Sequence, residues 1–591
     1  MGQQKSPCGN TGNQQKSPPQ SHDPRPVIEV RGGGLPEIVV KAQSVLANNQ
    51  SVFQQGGRLV RLVTLAKDEE AGGIKYSSGS TVVRHVDPAW LHLDLTRIAQ
   101  WKKWNRQGDV YTTNADKETV NAVLSNAGQW PFNELQGVIE APTLRPDGSI
   151  LDYHGFDQAT RLYLTKNPVC LDKVRLENPS RDDAIKALAG LKKLIKTFPF
   201  VTNSDLAVAL SGILTTVIRR SLPTSPLHAY SAPTPGSGKS KLVELASIIA
   251  SGRKAPVFNH GKTDDEFEKR LVSAVLAGDG QIFIDNVSRP LGGDQLCQLL
   301  TQERVQIRPL GASVQVTVPA SLTIFANGKN LVLPEDMVRR SLLCSIDPRC
   351  ERPELRQFDS DPVKVAECKR DELLTSALIV LRAFHLAGRP GMGLIPLGGF
   401  EAWSGWVRAA LVWLGEADPC QTMEMVRAND PELTRLKSVL TAWSTIYGNR
   451  HLSVREIIEE ISRNQCSDDV KTLRASLLEV AGDGGLVNSK RFGKWLANNK
   501  QRIADGLQIE DAGISAGHKL WRVIAANGGL VAFGGSVFNP LREKEENKIY
   551  AQAHAHACED GQKVTHQKPP THQIDPNDNP DFWNPFEMGR S

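Results

Sequence analysis

Between residues 226 and 348 the apolar positions alternate between short continuous runs and helical spacing. "LHAYSA" (Leu227–Ala232) is a run of strand length. In "KSKLVELASIIASG" Leu242, Leu245, Ala246 and Ile249 share one helical face, and Gly252 stands where a helix would stop. "QIFIDNV" and "SLTIFANGKN" are two further buried-strand runs. Strands alternating with helices predict an α/β layered sheet.

The flanking pattern differs. Residues 26–175 mix β-like runs such as "GRLVRLVTL" with helical pieces, and "PTLRPDGSILDY" reads as two extended stretches around an Asp-Gly turn. This predicts an α+β N-terminal domain without a catalytic motif. "DDAIKALAGLKKLIKTF" and "SDLAVALSGILTTVIRR" are helical and preface the α/β core, which together span 180–358. A helical segment covers 360–428, with Trp403, Trp406 and Trp413 on one face as core packing. In 430–528, "SVREIIEEISRN", "DDVKTLRASLLEVA" and "NSKRFGKWLANNKQRI" read as three helices, the last capped by Asn488 or Ser489. "LQIEDAGISAGHKLWRVI" then reads as two strands around a turn. Three helices and a strand pair make a winged-helix plan. Residues 1–25 and 540–591 are polar tails expected to be disordered.

Composition narrows the picture little. With 591 residues, 40% hydrophobic and 23% charged, the chain has ordinary soluble-protein proportions and room for roughly three or four domains. No apolar run is long enough for a membrane helix, and the polar N-terminus lacks a signal-peptide core. "MGQQKS" fits a myristoylation pattern, with a solvated tail as the other reading. The net charge of +5 permits nucleic-acid binding without requiring it. Nine cysteines without a C-x-x-C pair read as reduced thiols of a cytoplasmic protein. His554, His556 and Cys558 form either a chelating run or part of the tail.

The chemistry concentrates in the α/β region. "PTPGSGKS" (233–240) closes like the phosphate-binding pattern G-x-x-x-x-G-K-[ST], with Pro233 at the first glycine position. Pro235, Gly236, Ser237 and Gly238 would turn backbone N–H groups toward phosphate oxygens at a helix N-terminus. Lys239 would reach the β- and γ-phosphates of ATP, and Ser240 would ligate Mg²⁺. "QIFIDNV" ends its strand in Asp285, a second Mg²⁺ ligand, followed by Asn286 where a carboxylate would serve as base. Asn327, with Asn330 nearby, is placed to sense the γ-phosphate or to close a turn before Gly328. Arg339 and Arg340 fit either an arginine finger acting on a neighbouring subunit or a surface ion pair with Asp336.

DNA contacts have two candidate elements. "RVQIRPLGASVQVTVP" is a β-hairpin pattern, with Arg304 and Arg308 as phosphate contacts or as ordinary sheet residues. Lys490, Arg491 and Lys494 give the third helix of 430–528 a basic face, suited to a major groove or to a protein partner.

In order, "PGSGKS", "FIDN", "RPLG", "FANGKNL", "EDMVRR" and "SIDPRCERPELRQF" resemble the ATPase domain of prophage and mobile-element primase–helicase proteins. That group is related to superfamily 3 helicases and the wider AAA+ class. "FEAWSGWVRAALVWLGEADP" and "RFGKWLANNKQRIADGLQI" also resemble it, so the likeness spans about 180–525. The resemblance implies an AAA+-like core in a ring, usually a hexamer, that hydrolyses ATP between subunits and moves along single-stranded or forked DNA. It implies Lys239 and Ser240 for phosphate and Mg²⁺, Asp285 for Mg²⁺, Asn327 or Asn330 as sensor, Arg340 or Arg339 as the finger in trans, and a channel-facing hairpin. No metal-binding primase motif stands upstream, so primer synthesis is not expected. The leading expectation is a DNA helicase or helicase-like replication protein. The alternatives are an ATP-dependent DNA-binding switch, favoured by Asn286, and a small-molecule kinase, opposed by the basic C-terminal module.

Overall fold

The computed structural model describes residues 23–165, 169–308, 315–357, 359–428, 431–463, 467–515 and 517–526. The myristoylation-like start, the hairpin turn at 309–314, the His554–Cys558 run and the C-terminal tail lie outside the described residues. The fold is mixed α/β and forms two compact units, residues 1–438 and 439–591. Among the described residues no helix is long and apolar enough to cross a membrane.

The first unit is organised by one sheet. Its five core strands are β1 (Leu227–Ala232), β2 (Val257–Asn259), β3 (Gln281–Val287), β4 (Thr323–Lys329) and β5 (Ser341–Ser345). They run parallel in the order β5-β1-β4-β3-β2. Two strands from the N-terminal region, Ile74–Tyr76 and Glu69–Ala71, extend the β2 edge in antiparallel sense. Strands buried on both faces need continuous apolar sequence. Accordingly Leu227, Ala229, Tyr230, Ile282, Ile284, Ile324, Phe325 and Ala326 are buried.

Helix α1 (Lys239–Ser251) leaves the loop after β1, buries Leu242, Leu245, Ala246 and Ile249, and ends at Gly252 in the left-handed conformation. The preface helix Asn203–Ile218 is buried over most of its length. Its first turn is fixed twice by Asp205. One carboxylate oxygen accepts the Thr202 hydroxyl and amide of a capping box, and the other accepts the Ser345 amide at the end of β5 (2.6 Å). Trp403 is fully buried and donates its indole N–H to Thr215 Oγ1 at 2.8 Å. Trp406 is buried too, and Trp413 packs on Phe384.

The second unit carries helices Val454–Ile461, Asp468–Ala481 and α2 (Ser489–Asn498), then an antiparallel pair, Leu507–Ser515 with His518–Ala525. Asn488 caps α2, its Oδ1 accepting the amides of Lys490 (3.0 Å) and Arg491 (3.1 Å). Phe492 and Leu496 are fully buried, Phe492 against Trp443.

Candidate functional site

In an open parallel sheet the strand carboxyl ends border a crevice where ligands bind. The loop 233–238 leaves β1 at that edge. Gly236 (φ 72°) and Gly238 (φ 99°) hold left-handed backbone there, which side chains rarely adopt. A side chain at either would also meet a close neighbour. A Cβ on Gly238 would lie 3.0 Å from the Phe198 ring, and one on Gly236 would lie 3.3 Å from the Glu354 backbone nitrogen. The loop braces itself: Ser237 Oγ donates to the Thr234 carbonyl at 2.6 Å, and Lys239 Nζ donates to the same oxygen at 3.1 Å. Pro233 and Pro235 face solvent.

Lys239 is half-buried. Burial lowers its pKa from the ordinary value, and the charge of Asp285 acts in the opposite sense. Asp285 itself pairs in register with Asn259 at the carboxyl end of β3.

Asn327 connects the pieces. It is buried at the end of β4. Its Nδ2 donates to Ser240 Oγ at 2.9 Å, and its Oδ1 accepts the Asn286 amide at 2.8 Å. The register explains why that amide is available. Ile284 pairs with Ala326 and Val287 with Gly328, so β3 carries one extra residue across this step. The extra length forms a bulge. Asn286 sits in it at φ 54°, a conformation that asparagine tolerates better than most side chains. Its amide turns toward Asn327 while its side chain is exposed.

Asn330, the other sensor candidate, lies just beyond β4. It too has a left-handed backbone (φ 46°), and its amide donates to the Ala232 carbonyl at 3.1 Å. The Leu331 amide donates to Ser231 Oγ at 3.0 Å, so this turn is tied to the end of β1. Its side chain is exposed, and the contact to Ser240 belongs to Asn327.

Arg339 and Arg340 stand at the other edge of the sheet. The Arg340 carbonyl accepts the amide of Leu227, the first residue of β1. At about 3.3 Å per residue, the loop is roughly 17 Å further along. Both arginines pair with Asp336, at 3.1 and 3.3 Å. Arg339 is well exposed and Arg340 mostly covered.

The hairpin predicted after β3 forms between Arg304–Ile307 and Val316–Pro319, with Val305, Ile307, Val316 and Val318 buried. Arg304 pairs at its base with Glu134 (3.2 Å), which also binds Arg161 (2.5 Å). Arg308 is exposed at the edge of the undescribed turn.

On α2, Lys490 and Lys494 are exposed and make no ion pair among the described residues. Arg491 donates to the Gly482 carbonyl at 2.8 Å and lies 3.8 Å from Asp483. A groove of about 640 Å³ runs beside Lys490, bordered by Ser489, Gly493, His518 and Lys519. Lys519 covers the Trp521 ring at 4.5 Å and pairs with Asp511 at 3.0 Å.

Sequence spacing singles out Lys239, Ser240, Asp285 and Asn327. It does not reveal Thr234 as the oxygen that holds Lys239, nor Phe198 and Glu354 as the neighbours of the loop glycines. Those two come from distant segments and belong to no local pattern.

No family model and no curated protein matches the chain. Solved structures give remote likenesses. The apo A form of the NrS-1 C-terminal region aligns over 82% of this chain and 98% of its own, at 11% identity and a TM-score of 0.35. The crystal structure of JCV helicase aligns over 45% and 73% respectively, at 11% identity and a TM-score of 0.19. Scores this low transfer no residue role, and the site stands on its own geometry.

Proposed function

We propose that the chain is a DNA-dependent ATPase of helicase type. The observation that carries this reading is the Asn327 link between Ser240 and the backbone after Asp285. It joins the start of α1 to the strand segment that follows Asp285, with Asn327 where a polar sensor would stand.

The residues fit ATP with Mg²⁺. Ser240 Oγ and the Asp285 carboxylate are hard oxygen donors suited to that ion, which would neutralise charge on the β- and γ-phosphates. The glycine-rich loop offers backbone N–H groups at the start of α1, where the helix dipole favours an anion. Lys239 would exchange its bond to the Thr234 carbonyl for phosphate oxygens. Asn327 keeps Ser240 and the β3 bulge in register with each other. Asn286 would orient the attacking water but is a poor acceptor of its proton. Slow hydrolysis follows.

We further propose an AAA+-like ring, with a hexamer as the expected form. The arginine pair lies too far from its own loop to serve it, so a role in hydrolysis requires a neighbouring subunit. A head-to-tail interface of the kind that closes rings would supply one. The second unit is read as a winged helix with Lys490 and Lys494 of α2 directed to DNA and Arg491 steadying the helix start. Arg308, at the edge of the hairpin turn, is a second DNA contact, while Arg304 supports the hairpin base.

Asn286 favours one other reading, an ATP-dependent DNA-binding switch with little turnover. A forked-duplex assay separates the two. ATP-dependent strand separation that Lys239→Ala abolishes supports the helicase. ATP-dependent DNA binding without strand separation or turnover supports the switch.

A further inference from the structure

A cavity with several charged residues in its wall lies at the opposite edge of the sheet from Lys239. It has a volume of about 80 Å³ and is bordered by Arg219, Arg220, Arg253, Glu140, Asp279 and Gln281. Gln281 begins β3, so at about 3.3 Å per residue the cavity is roughly 20 Å from the carboxyl end of that strand. It belongs to no part of the nucleotide reading.

Its charges do not balance. Arg219 donates to the backbone carbonyls of Leu322 (2.9 Å), Ala320 (3.0 Å) and Leu222 (2.5 Å), with no carboxylate among these partners. Arg220 donates to the Gly278 carbonyl (2.5 Å) and to Ser321 Oγ (2.9 Å). Arg253 pairs with Glu140. The remaining carboxyl, Asp279, accepts the Tyr76 hydroxyl at 3.1 Å. Burial pushes the Asp279 carboxyl up to about 7, which weakens it as a counter-charge. Burial also pulls Arg219 down to about 9 and Arg220 and Arg253 to about 10. Arginine does not give up its proton under ordinary conditions. Three guanidinium groups therefore share two carboxyl groups, Glu140 and Asp279, and an unbalanced buried charge is costly.

Two polar atoms are also unsatisfied. Gln281 is buried and donates through Nε2 to Ser251 Oγ at 3.1 Å, yet its Oε1 has no partner. Arg220 Nε is out of contact with solvent and has none either. One orphan accepts a hydrogen bond and the other donates one. Water could satisfy both atoms, and at about 30 Å³ per molecule two or three would fit. Water would leave the charge excess in place. A partly protonated tetrahedral oxyanion accepts, donates and supplies negative charge together.

We propose that this cavity is a binding site for one phosphate-sized oxyanion, held by Arg220 and Arg253 with Gln281 accepting from its protonated oxygen. The ligand class is inorganic phosphate or an anion of the same size and charge.

The test uses the full chain carrying Lys239→Ala, which weakens phosphate binding at the loop. Orthophosphate is titrated by calorimetry and by thermal denaturation, against chloride at matched ionic strength. The expected result is saturable binding of one phosphate per chain with a rise in Tm. Adding Gln281→Glu places a carboxylate in the cavity. Binding should then weaken by about tenfold or more, and the phosphate-dependent Tm rise should disappear. Should that variant not fold, Arg220→Gln is read in its place for the same loss. Absence of saturable binding in the Lys239→Ala chain, or equal binding after the cavity substitution, overturns the proposal.

Discussion

Asn327 Nδ2 lies 2.9 Å from Ser240 Oγ, so the buried end of β4 holds the first turn of α1 directly. The same side chain accepts a hydrogen bond from the Asn286 amide. Replacing it with alanine leaves that amide without its acceptor. Asn327→Ala should cost about 1–3 kcal/mol of stability, measured by denaturant unfolding. It should also lower hydrolysis by about a hundredfold in single-turnover assays, with a smaller effect on ATP affinity.

Asn286 supplies a gain-of-function prediction. Aspartate tolerates the left-handed bulge as asparagine does and adds a proton acceptor. Asn286→Asp should raise kcat while the fold is kept. Asn286→Val should instead destabilise the chain by about 1–2 kcal/mol, because a β-branched residue is strained at that φ. A kcat in Asn286→Asp no higher than that of the parent would show that water activation does not limit the rate.

Arg339 is exposed and held by a surface pair, so Arg339→Ala should change stability by less than about 1 kcal/mol. Its effect should appear in mixtures. A Lys239→Ala chain has an intact arginine pair, and an Arg339→Ala chain has an intact loop. If Arg339 acts across subunits, mixing the two inactive chains restores turnover. Activity of the mixture equal to the sum of the parts would exclude an intersubunit role for Arg339.

The expected α/β succession is present in the structure, and the apolar runs for β1, β3 and β4 coincide with strands because a doubly covered sheet leaves its mark on every residue. Loop glycines and Gly252 were legible for a similar local reason: left-handed backbone selects glycine. Other relations were not. The β3 bulge arises from the register of two strands some forty residues apart, which periodicity does not encode. Nor does spacing show that Glu69–Ala71 and Ile74–Tyr76 join the core sheet, or that Arg304 pairs with Glu134. The charge imbalance around Arg219, Arg220 and Arg253 arises only when four distant segments are packed together.

Asp279 gives a pH prediction. Its carboxyl is raised from about 3.8 to about 7, chiefly by burial, with Tyr76 and Arg220 facing it and opposing the shift. The native state therefore holds the proton more tightly than the unfolded chain. The stabilisation is complete below about pH 4 and is lost as pH rises through 7. Asp279→Asn should remove this contribution, so the stability difference between the two proteins should change in favour of the variant from pH 5 to pH 8. Parallel stability–pH curves would show that Asp279 ionises freely in the fold.

Lys490 and Lys494 give a salt-dependence prediction. Substituting both with alanine should reduce the slope of log affinity for DNA against log salt by about two, without changing the unfolding midpoint. An unchanged slope would direct attention to a protein partner for α2.

The most direct test of the central claim is steady-state ATP turnover with Mg²⁺, with and without single-stranded DNA, in the parent chain and in Lys239→Ala. The account predicts slow basal turnover that DNA stimulates and that the lysine substitution abolishes. Turnover that is indifferent both to DNA and to Lys239 would contradict it.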